Sequence, residues 1–121
     1  MFGIGIDAVD IERFRRALHR TPGLRARLFT EHELSSVGAK ADQTASLAAR
    51  FAVREAAMKV LGVGIGAFDL HDVSIERQES GEPRLLVTGR AKVLAQAKGI
   101  GVWHVSLSHT DLVAVAVVAA A

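Results

Sequence analysis

One uninterrupted stretch of strong helix formers, residues 45–61 (ASLAARFAVREAAMKVL), constrains the fold of this chain more than any other feature. Its residue types are those with the highest helix propensity, and Gly62 stands where a helix would end. The stretch therefore predicts one long helix on which the other elements must pack. Residues at helical spacing give this helix an apolar stripe, formed by Leu47, Phe51, Met58 and Leu61.

Short elements of both kinds are predicted on either side of this helix. Phe2–Ile11 is rich in Ile and Gly with alternating character and predicts a strand. A helix is predicted from Glu12 to about His19, and Thr30 with Glu33 has the spacing of a capping box, which predicts a second helix start. Further along the chain the pattern predicts a polar loop over 38–44, strands over 72–78 and 84–88, a helix over 90–97, and an antiparallel strand pair over 102–108 and 112–119. The sum is an α+β fold in one domain, residues 1–121.

Composition limits the size of the core and the class of protein. Half of the residues are apolar, which excludes a disordered chain, but 20 of them are Ala and the aromatic residues are only five Phe and one Trp. The longest apolar run, 112–121, has about half of the roughly 20 residues that a membrane-spanning helix needs. No secretory signal is visible and Cys is absent, so we expect a cytoplasmic protein with a thin core.

Positive charge is concentrated in one segment. The net charge is only +2, but residues 12–27 hold six Arg and a single acidic residue. This segment is either a solvated helix face or a docking surface for an acidic partner. Phe14 and Phe29 are the only aromatic residues near these arginines, and no nucleic-acid recognition module is present, so an acidic protein fits as well as nucleic acid.

Two features carry candidate chemistry in the first strand and the long helix. Asp7 lies within an apolar strand, where a carboxylate either faces outward or must be paired, hydrogen-bonded or bound to a metal ion. Glu55 and Lys59 are four residues apart and share a helix face with three alanines. They are either an ordinary surface ion pair or part of a site, because the small neighbours leave room for a ligand to approach the helix.

A third candidate is the segment SLSHTD at 106–111, between the last two predicted strands. Hydroxyl groups and an imidazole at such a point can donate several hydrogen bonds to a phosphate, although His104 and His109 can equally be structural. The chain has no regularly spaced His ligands for zinc, no GxSxG elbow and no Cys nucleophile. The glycine-rich GVGIG at 62–66 is not followed by Lys-Ser or Lys-Thr, which excludes a P-loop.

Four motifs together resemble the holo-acyl-carrier-protein synthases, the small trimeric group of 4'-phosphopantetheinyl transferases. GIGIDAVDIERF, FTEHEL, RFAVREAAMKVLG and HVSLSHT match the family's motifs in order and spacing over essentially the whole chain. One departure is Arg54, which stands where the family usually has Lys, so that a compact ammonium is replaced by a planar guanidinium. The resemblance implies a long helix packed on a small antiparallel sheet, assembled as a homotrimer.

The resemblance also implies a reaction and its catalytic residues. Such enzymes transfer the 4'-phosphopantetheine group of coenzyme A to a serine of apo acyl carrier protein and release adenosine 3',5'-bisphosphate. By position, Asp7 and Glu55 correspond to ligands of Mg²⁺, with Mn²⁺ as an alternative, and Lys59 to the lysine that stabilises or protonates the leaving phosphate. The proton acceptor for the serine is either Glu55 or a water on the metal ion.

Further residues are assigned only by the resemblance. Those implied to contact coenzyme A are Arg50, Lys59, Gly62, Gly64, Ser108, His109 and Thr110. Arg13, Arg16 and Arg20 would dock the acidic carrier protein, with neither nucleic acid nor membrane as a partner. The active sites would lie between subunits, and either part of the last strand or the alanine face of the long helix would form the interface.

A non-catalytic basic binding module, with Asp7, Glu55 and Lys59 in structural roles, is the competing class of function. A sugar-kinase or actin-like ATPase is excluded, because those folds require a Gly-Thr turn after the Asp and far more chain. The sequence leaves open whether the carrier serves fatty-acid or polyketide synthesis and whether acyl derivatives of coenzyme A are accepted.

Overall fold

Two antiparallel sheets and a central long helix organise the chain, as seen in a computed structural model that describes residues 3–38 and 42–121. The strands are β1 (Gly3–Asp10), β2 (Val73–Arg77), β3 (Pro83–Val87), β4 (Trp103–His109) and β5 (Val113–Ala120). The helices are α1 (Ile11–Arg20), α2 (Leu24–Leu28), α3 (Glu31–Ser36), α4 (Thr44–Leu61) and α5 (Gly89–Ala97), with a 3₁₀ turn at Leu70–Asp72. The α+β class predicted from the sequence is confirmed. No helix within the described residues is long and apolar enough to span a bilayer.

Helix α4 packs directly on β1 through small residues on both elements. A Cβ atom at Gly5 would lie 2.1 Å from the carbonyl oxygen of Ala56, so only glycine allows this approach. Ala48, Ala52 and Ala56 are completely buried in this contact. The sequence-based interpretation that the alanine face leaves room for a ligand, or forms a subunit interface, is therefore wrong, because the strand itself occupies that space.

The larger sheet has the strand order β1-β5-β4 and two very different faces. Because side chains alternate along a strand, Ala114, Ala116, Val118 and Ala120 of β5 point toward α4 and are buried. The opposite face carries large apolar side chains that remain accessible: Ile4, Ile6, Val113 and Val115. We call this surface the outer sheet face. Within a single chain nothing in the described residues covers it.

The smaller sheet is a hairpin of β2 and β3, whose register pairs Val73 with Val87. Val73 and Ile75 face the core, where they meet α4 and α5. A second apolar cluster lies around the first half of α4 and includes Phe14 of α1 and Phe29, which directly follows α2. The sheets and N-terminal helices thus hold α4 from several sides, which fixes the side chains that it presents.

Most boundaries agree with the sequence-based predictions within one or two residues. Helix α4 ends at Gly62, which has a left-handed backbone with φ of 69°, and Thr30 and Glu33 form the capping box that was predicted. Ile11 belongs to α1 rather than to the first strand, because the Asp10 side chain caps that helix at the Arg13 N–H. Helix α2 was missed, since it has five residues and its N-cap, Gly23, offers no side chain. Phe2 and residues 39–41 of the predicted strand and loop lie outside the described residues.

Candidate active site

Asp7 and Lys59 meet where β1 crosses the C-terminal half of α4. The Asp7 side chain lies on the same face of β1 as Gly5 and is only 20% exposed. Its Oδ1 atom is 3.3 Å from the Lys59 Nζ atom, which also donates to the Ile6 carbonyl oxygen at 2.7 Å. Of the two interpretations of Asp7, the inward-facing, paired carboxylate is the one observed.

Glu55 stands one helical turn before Lys59 and is differently placed. Among the residues that the structure describes, it makes no ion pair and no side-chain hydrogen bond, so the predicted alternative of a Glu55–Lys59 surface pair is not formed. Burial raises the pKa of Glu55, the nearby charge of Asp7 raises it further, and Lys59 lowers it. The carboxylates of Asp7 and Glu55 and the ammonium group of Lys59 therefore lie together, and no described residue bonds to the Glu55 carboxylate, which leaves it available to a ligand.

The two carboxylates, but not Lys59, line a groove between β1, α1, α2 and α4 with a volume of about 500 Å³. Asp7 and Glu55 lie at one part of its lining, and Arg13 and Arg27 line it as well. The other lining residues are mostly apolar and include Phe14, Leu24, Leu28, Phe51, Ile65 and Leu70. We call it the α1–α4 groove. It offers an apolar passage with two cationic side chains, beside the carboxylates of Asp7 and Glu55 and a third one, Asp10, which caps α1.

The donor set at Asp7 and Glu55 fits a hard divalent cation. Mg²⁺ binds one or two protein carboxylates and completes its shell with water and phosphate oxygens. Burial and the negative charge of Asp7 both raise the pKa of Glu55, and a bound cation would favour the ionised carboxylate against these two effects. Within the described part of the chain no group of three or more metal-ligating side chains occurs.

Arg54, next to Glu55 in sequence, belongs to the interior. It is fully buried and donates to both carboxylate oxygens of Glu33, at 2.5 and 3.0 Å, and to the Leu70 carbonyl oxygen at 2.9 Å. Its guanidinium also lies 5.1 Å from the centre of the Phe29 ring. Arg54 therefore contributes no charged group to the protein surface. The planar guanidinium instead connects α3, α4 and the 3₁₀ turn.

Arg50 is also buried, but no residue in the described ranges gives it an anionic partner. Only 3% of it is exposed, its Nη1 atom donates to the Ser46 carbonyl oxygen, and its buried Nε atom has no hydrogen-bond partner among the same residues. Burial lowers the pKa of Arg50; Glu33 opposes this effect, while the charges of Arg77 and Arg54 add to it. A buried guanidinium in this state is suited to receive an anion.

Arg77 was missed by the sequence analysis. It ends β2 on the strand face that Val73 and Ile75 present to the core, and its Nη1 atom donates to the Gly81 carbonyl oxygen at 2.8 Å. Its charge acts on Arg50, as noted above. The only available signal was the alternation of β2, which places residue 77 on the same side as residues 73 and 75.

Arg50 and the Asp7–Glu55–Lys59 group lie on different sides of α4. At about 100° per residue, positions 50 and 59 point in opposite directions and are separated by roughly 13 Å along the axis. One small ligand therefore cannot contact both from the same subunit. The predicted contact residues fall into two groups that a single chain does not bring together.

The segment 108–110 was predicted to contact the same ligand, but its residues diverge. Ser108 and His109 are successive strand residues and point to opposite faces of the sheet, with Ser108 on the outer sheet face. The Thr110 hydroxyl accepts hydrogen bonds from the N–H groups of Leu112 and Val113 and thereby shapes the β4–β5 turn. His109 is exposed and Thr110 already has structural partners.

The glycines predicted to contact coenzyme A follow the end of α4, and the arginines predicted to dock the carrier protein lie on α1. Gly62 is required by the left-handed end of α4, and a Cβ atom at Gly64 would have no atom of residues 3–38 or 42–121 within 4 Å. Arg13, Arg16 and Arg20 are exposed and lie along one side of α1, as their spacing requires. By contrast, Arg15 is engaged by Glu12 and Asp42.

The fold and this arrangement match a known group of transferases. The sequence profile of the 4'-phosphopantetheinyl transferase superfamily matches residues 3–118, and the chain belongs to this family. The holo-[acyl-carrier-protein] synthase of Streptomyces avermitilis is 48% identical over 120 residues, which cover 99% of this chain and 97% of that protein.

Solved structures give the same result. Holo-[acyl-carrier-protein] synthase from Neisseria meningitidis superposes with a TM-score of 0.87 at 28% identity, covering 98% of this chain and 97% of that chain. The Helicobacter pylori synthase, determined in complex with coenzyme A, superposes with a TM-score of 0.84 at 29% identity, covering 98% and 99%. The resemblance stated from the four sequence motifs is confirmed.

Proposed function

We propose that this chain, as one domain over residues 1–121, is a holo-acyl-carrier-protein synthase. It transfers the 4'-phosphopantetheine group of coenzyme A to a serine of apo acyl carrier protein and releases adenosine 3',5'-bisphosphate. The observation that carries the proposal is the convergence of Asp7, Glu55 and Lys59 beside the α1–α4 groove, in a chain of this family.

In the reaction, the serine oxygen forms a bond to the phosphorus that carries the pantetheine arm, and the bond from this phosphorus to the bridging oxygen breaks. Lys59 is placed to stabilise the charge that develops on the leaving phosphate, because its ammonium group already lies among backbone and carboxylate oxygens. Asp7 holds the Lys59 ammonium group in position toward the leaving phosphate through their contact of 3.3 Å. Glu55, free of other partners, is available to orient the serine or accept its proton.

Asp7 and Glu55 would hold Mg²⁺, with Mn²⁺ as an alternative. When bound, such an ion neutralises charge on the pyrophosphate during the displacement. The two carboxylates alone leave room in its shell for phosphate oxygens and water, so the substrate itself would complete the site.

Coenzyme A would be held by residues of two subunits. Lys59, Gly62 and Gly64 belong to the reaction half, and Arg50 with Ser108, His109 and Thr110 belongs to the other half. The opposite orientation of Arg50 and Lys59 on α4 supports this division. The orphaned Nε atom of Arg50 and the neighbouring Arg77 favour a phosphate group of the nucleotide as their missing anion.

A homotrimer would bring the halves together. The outer sheet face offers a suitable contact, because four large apolar residues are exposed on it. Burying them between subunits would add stability to a chain whose own core is thin and rich in alanine. A cyclic arrangement joins one surface of each chain to a different surface of the next, as an intersubunit site requires. Val113 and Val115 of this face belong to β5, so the proposed contact includes part of the last strand, one of the two interface options predicted from the sequence.

The carrier protein would dock on α1. Arg13, Arg16 and Arg20 are exposed on one side of the helix, and Arg13 also lines the α1–α4 groove that leads to Asp7 and Glu55. The positive charge of these arginines would mainly raise the rate at which an acidic carrier protein associates with α1. A cytoplasmic location accords with such a partner.

An intact-mass experiment tests the function directly. The protein is incubated with coenzyme A, Mg²⁺ and a panel of apo carrier proteins, and each carrier is weighed by mass spectrometry. We expect the mass of one phosphopantetheine group to be added to at least one carrier, and a carrier whose modified serine is replaced by Ala to stay unchanged. If no carrier gains the group while the protein is folded and assembled, the proposal is wrong.

A further inference from the structure

A second cavity, of about 520 Å³, lies between β3, α5 and the beginning of β4. It shares no lining residue with the α1–α4 groove, and it includes none of the four exposed residues of the outer sheet face. Its volume falls within the roughly 300–1,000 Å³ usual for small-molecule sites. The transfer reaction proposed above uses none of its side chains.

The cavity occupies the gap between the two sheets. Among the strands that the structure describes, β3 pairs with β2 alone and β4 with β5 alone, so that an unpaired edge of each borders the gap. The floor is apolar and consists of Leu85, Ala95 and Ile100, all buried. The half-buried ring of Trp103 adds an aromatic surface beside them.

The rim of this cavity is positively charged. Arg84 from β3 and Lys92 from α5 are exposed, and neither forms an ion pair with any residue that the structure describes. No Asp or Glu is among the lining residues. Glu76 lies opposite Arg84 in the β2–β3 register but makes no ion pair with it. Two unpaired cations above an apolar floor are complementary to a ligand with one anionic end and an apolar body.

We propose that this cavity binds an amphiphilic monoanion, an unbranched alkyl chain that ends in a carboxylate. The chain lies on the apolar floor against the Trp103 ring, where it removes apolar surface from water. The carboxylate accepts hydrogen bonds from Arg84 and Lys92 at the rim. Gln96, one turn after Lys92 on α5, lines the same opening with an amide group.

The chain provides its own reporter for this site, because Trp103 is the only tryptophan in the sequence. The full-length protein is titrated with octanoate below its micellar range, and tryptophan fluorescence is recorded. 1-Octanol, which has the same chain length and no charge, is the matched ligand control. We expect a saturable fluorescence change with octanoate and at least about tenfold weaker binding of 1-octanol.

Charge-neutralised variants test the rim. Arg84→Gln combined with Lys92→Gln should weaken octanoate binding by about tenfold with an unchanged circular dichroism spectrum. Arg90→Gln combined with Lys98→Gln removes the same charge from exposed positions outside the cavity lining and should leave the binding unchanged.

Three results would overturn the proposal: no saturable change with octanoate, equal binding of 1-octanol, or equal weakening by the control pair. None of these measurements uses carrier protein or coenzyme A, so their outcome is separate from that of the proposed transferase function.

Discussion

Two neighbouring residues of α4, Arg54 and Glu55, contrast in almost every physical respect. Arg54 is fully buried and forms two hydrogen bonds with Glu33. Glu55 is partly exposed and has no polar side-chain partner within the described residues. The same helix thus carries a completed ion pair on one side and an incomplete group of charges on the other. A charged residue alone therefore does not indicate a functional site in this molecule. A charged group without an ion-pair or hydrogen-bond partner in the described residues does.

Glu33 illustrates the completed side. Its two oxygens accept hydrogen bonds from Arg54, from the backbone N–H of Thr30 and from the backbone N–H of Ile75. Burial raises the pKa of Glu33, but the hydrogen bonds and charge of Arg54 outweigh this and leave it below its ordinary value. No acceptor site is left for a substrate, so this pair connects α3, α4 and β2.

The largest difference between the two sides should appear in stability. Arg54→Ala leaves the buried Glu33 carboxylate without its cation and should lower the free energy of unfolding by about 3–5 kcal/mol. Lys59→Ala removes an exposed partner of Asp7 and should change it by less than about 1 kcal/mol. Urea denaturation followed by circular dichroism measures both. Equal losses in the two variants would remove the distinction, and Arg54→Lys should retain part of the stability because it keeps the charge.

The second effect concerns catalysis. Lys59→Ala should lower kcat by about 100- to 1,000-fold, because the stabilisation of the leaving phosphate is lost in the transition state. The KM for coenzyme A should change much less. Steady-state kinetics over a range of coenzyme A concentrations separate the two parameters. A raised KM with an unchanged kcat would make Lys59 a binding residue only.

The third prediction concerns Arg50, whose removal should weaken the binding of coenzyme A without the loss of stability expected for Arg54→Ala. Arg50→Met removes a buried guanidinium with an unpartnered Nε atom and should keep or raise the melting temperature, while the KM for coenzyme A rises about tenfold. Differential scanning fluorimetry and steady-state kinetics provide the two readings. Lys98→Met, a change of one exposed charge on α5, is the control. A lower melting temperature with an unchanged KM would identify Arg50 as a structural residue like Arg54.

The smallest effect is expected on α1. Arg13→Glu with Arg16→Glu should lower kcat/KM for the carrier protein by about tenfold at low salt and flatten its dependence on ionic strength. Arg90→Glu with Lys98→Glu makes the same charge change on α5 and should have little effect. An unchanged salt dependence in the α1 variant would leave this basic segment as a solvated helix face.

The sequence predicted the parts of the molecule that depend on local pattern. Helix α4, its end at Gly62 and the capping box at Thr30 follow from propensity and spacing, and the four motifs identified the family. The different surroundings of Arg54 and Glu55 depend on which elements pack on each side of α4, and no local pattern contains this information. For the same reason Arg77 was missed and the alanine face was assigned wrongly.

The site was predictable as a set of residues but not as an arrangement. Asp7, Glu55 and Lys59 come together as the motifs imply, whereas Ser108 and His109 point to opposite faces of the sheet. Whether Arg50 and Lys59 can reach one ligand depends on their angular separation on the folded helix and on the assembly of subunits. These are tertiary and quaternary properties.

The central claim is that the Asp7–Glu55–Lys59 group of one subunit works with Arg50 of the next, and subunit mixing tests it most directly. Glu55→Gln and Arg50→Met chains are unfolded together and refolded, with mixed assembly verified by native mass spectrometry. Transfer is assayed at a coenzyme A concentration far below the wild-type KM, where the tenfold higher KM expected for Arg50→Met leaves about a tenth of the wild-type rate. In random trimers about a quarter of the sites, one half of one half, receive both intact residues, so about a quarter of the wild-type activity should return. A mixture of Asp7→Asn and Glu55→Gln, which alter the same half, should stay inactive. Mixed trimers with no more activity than their parents would contradict the account.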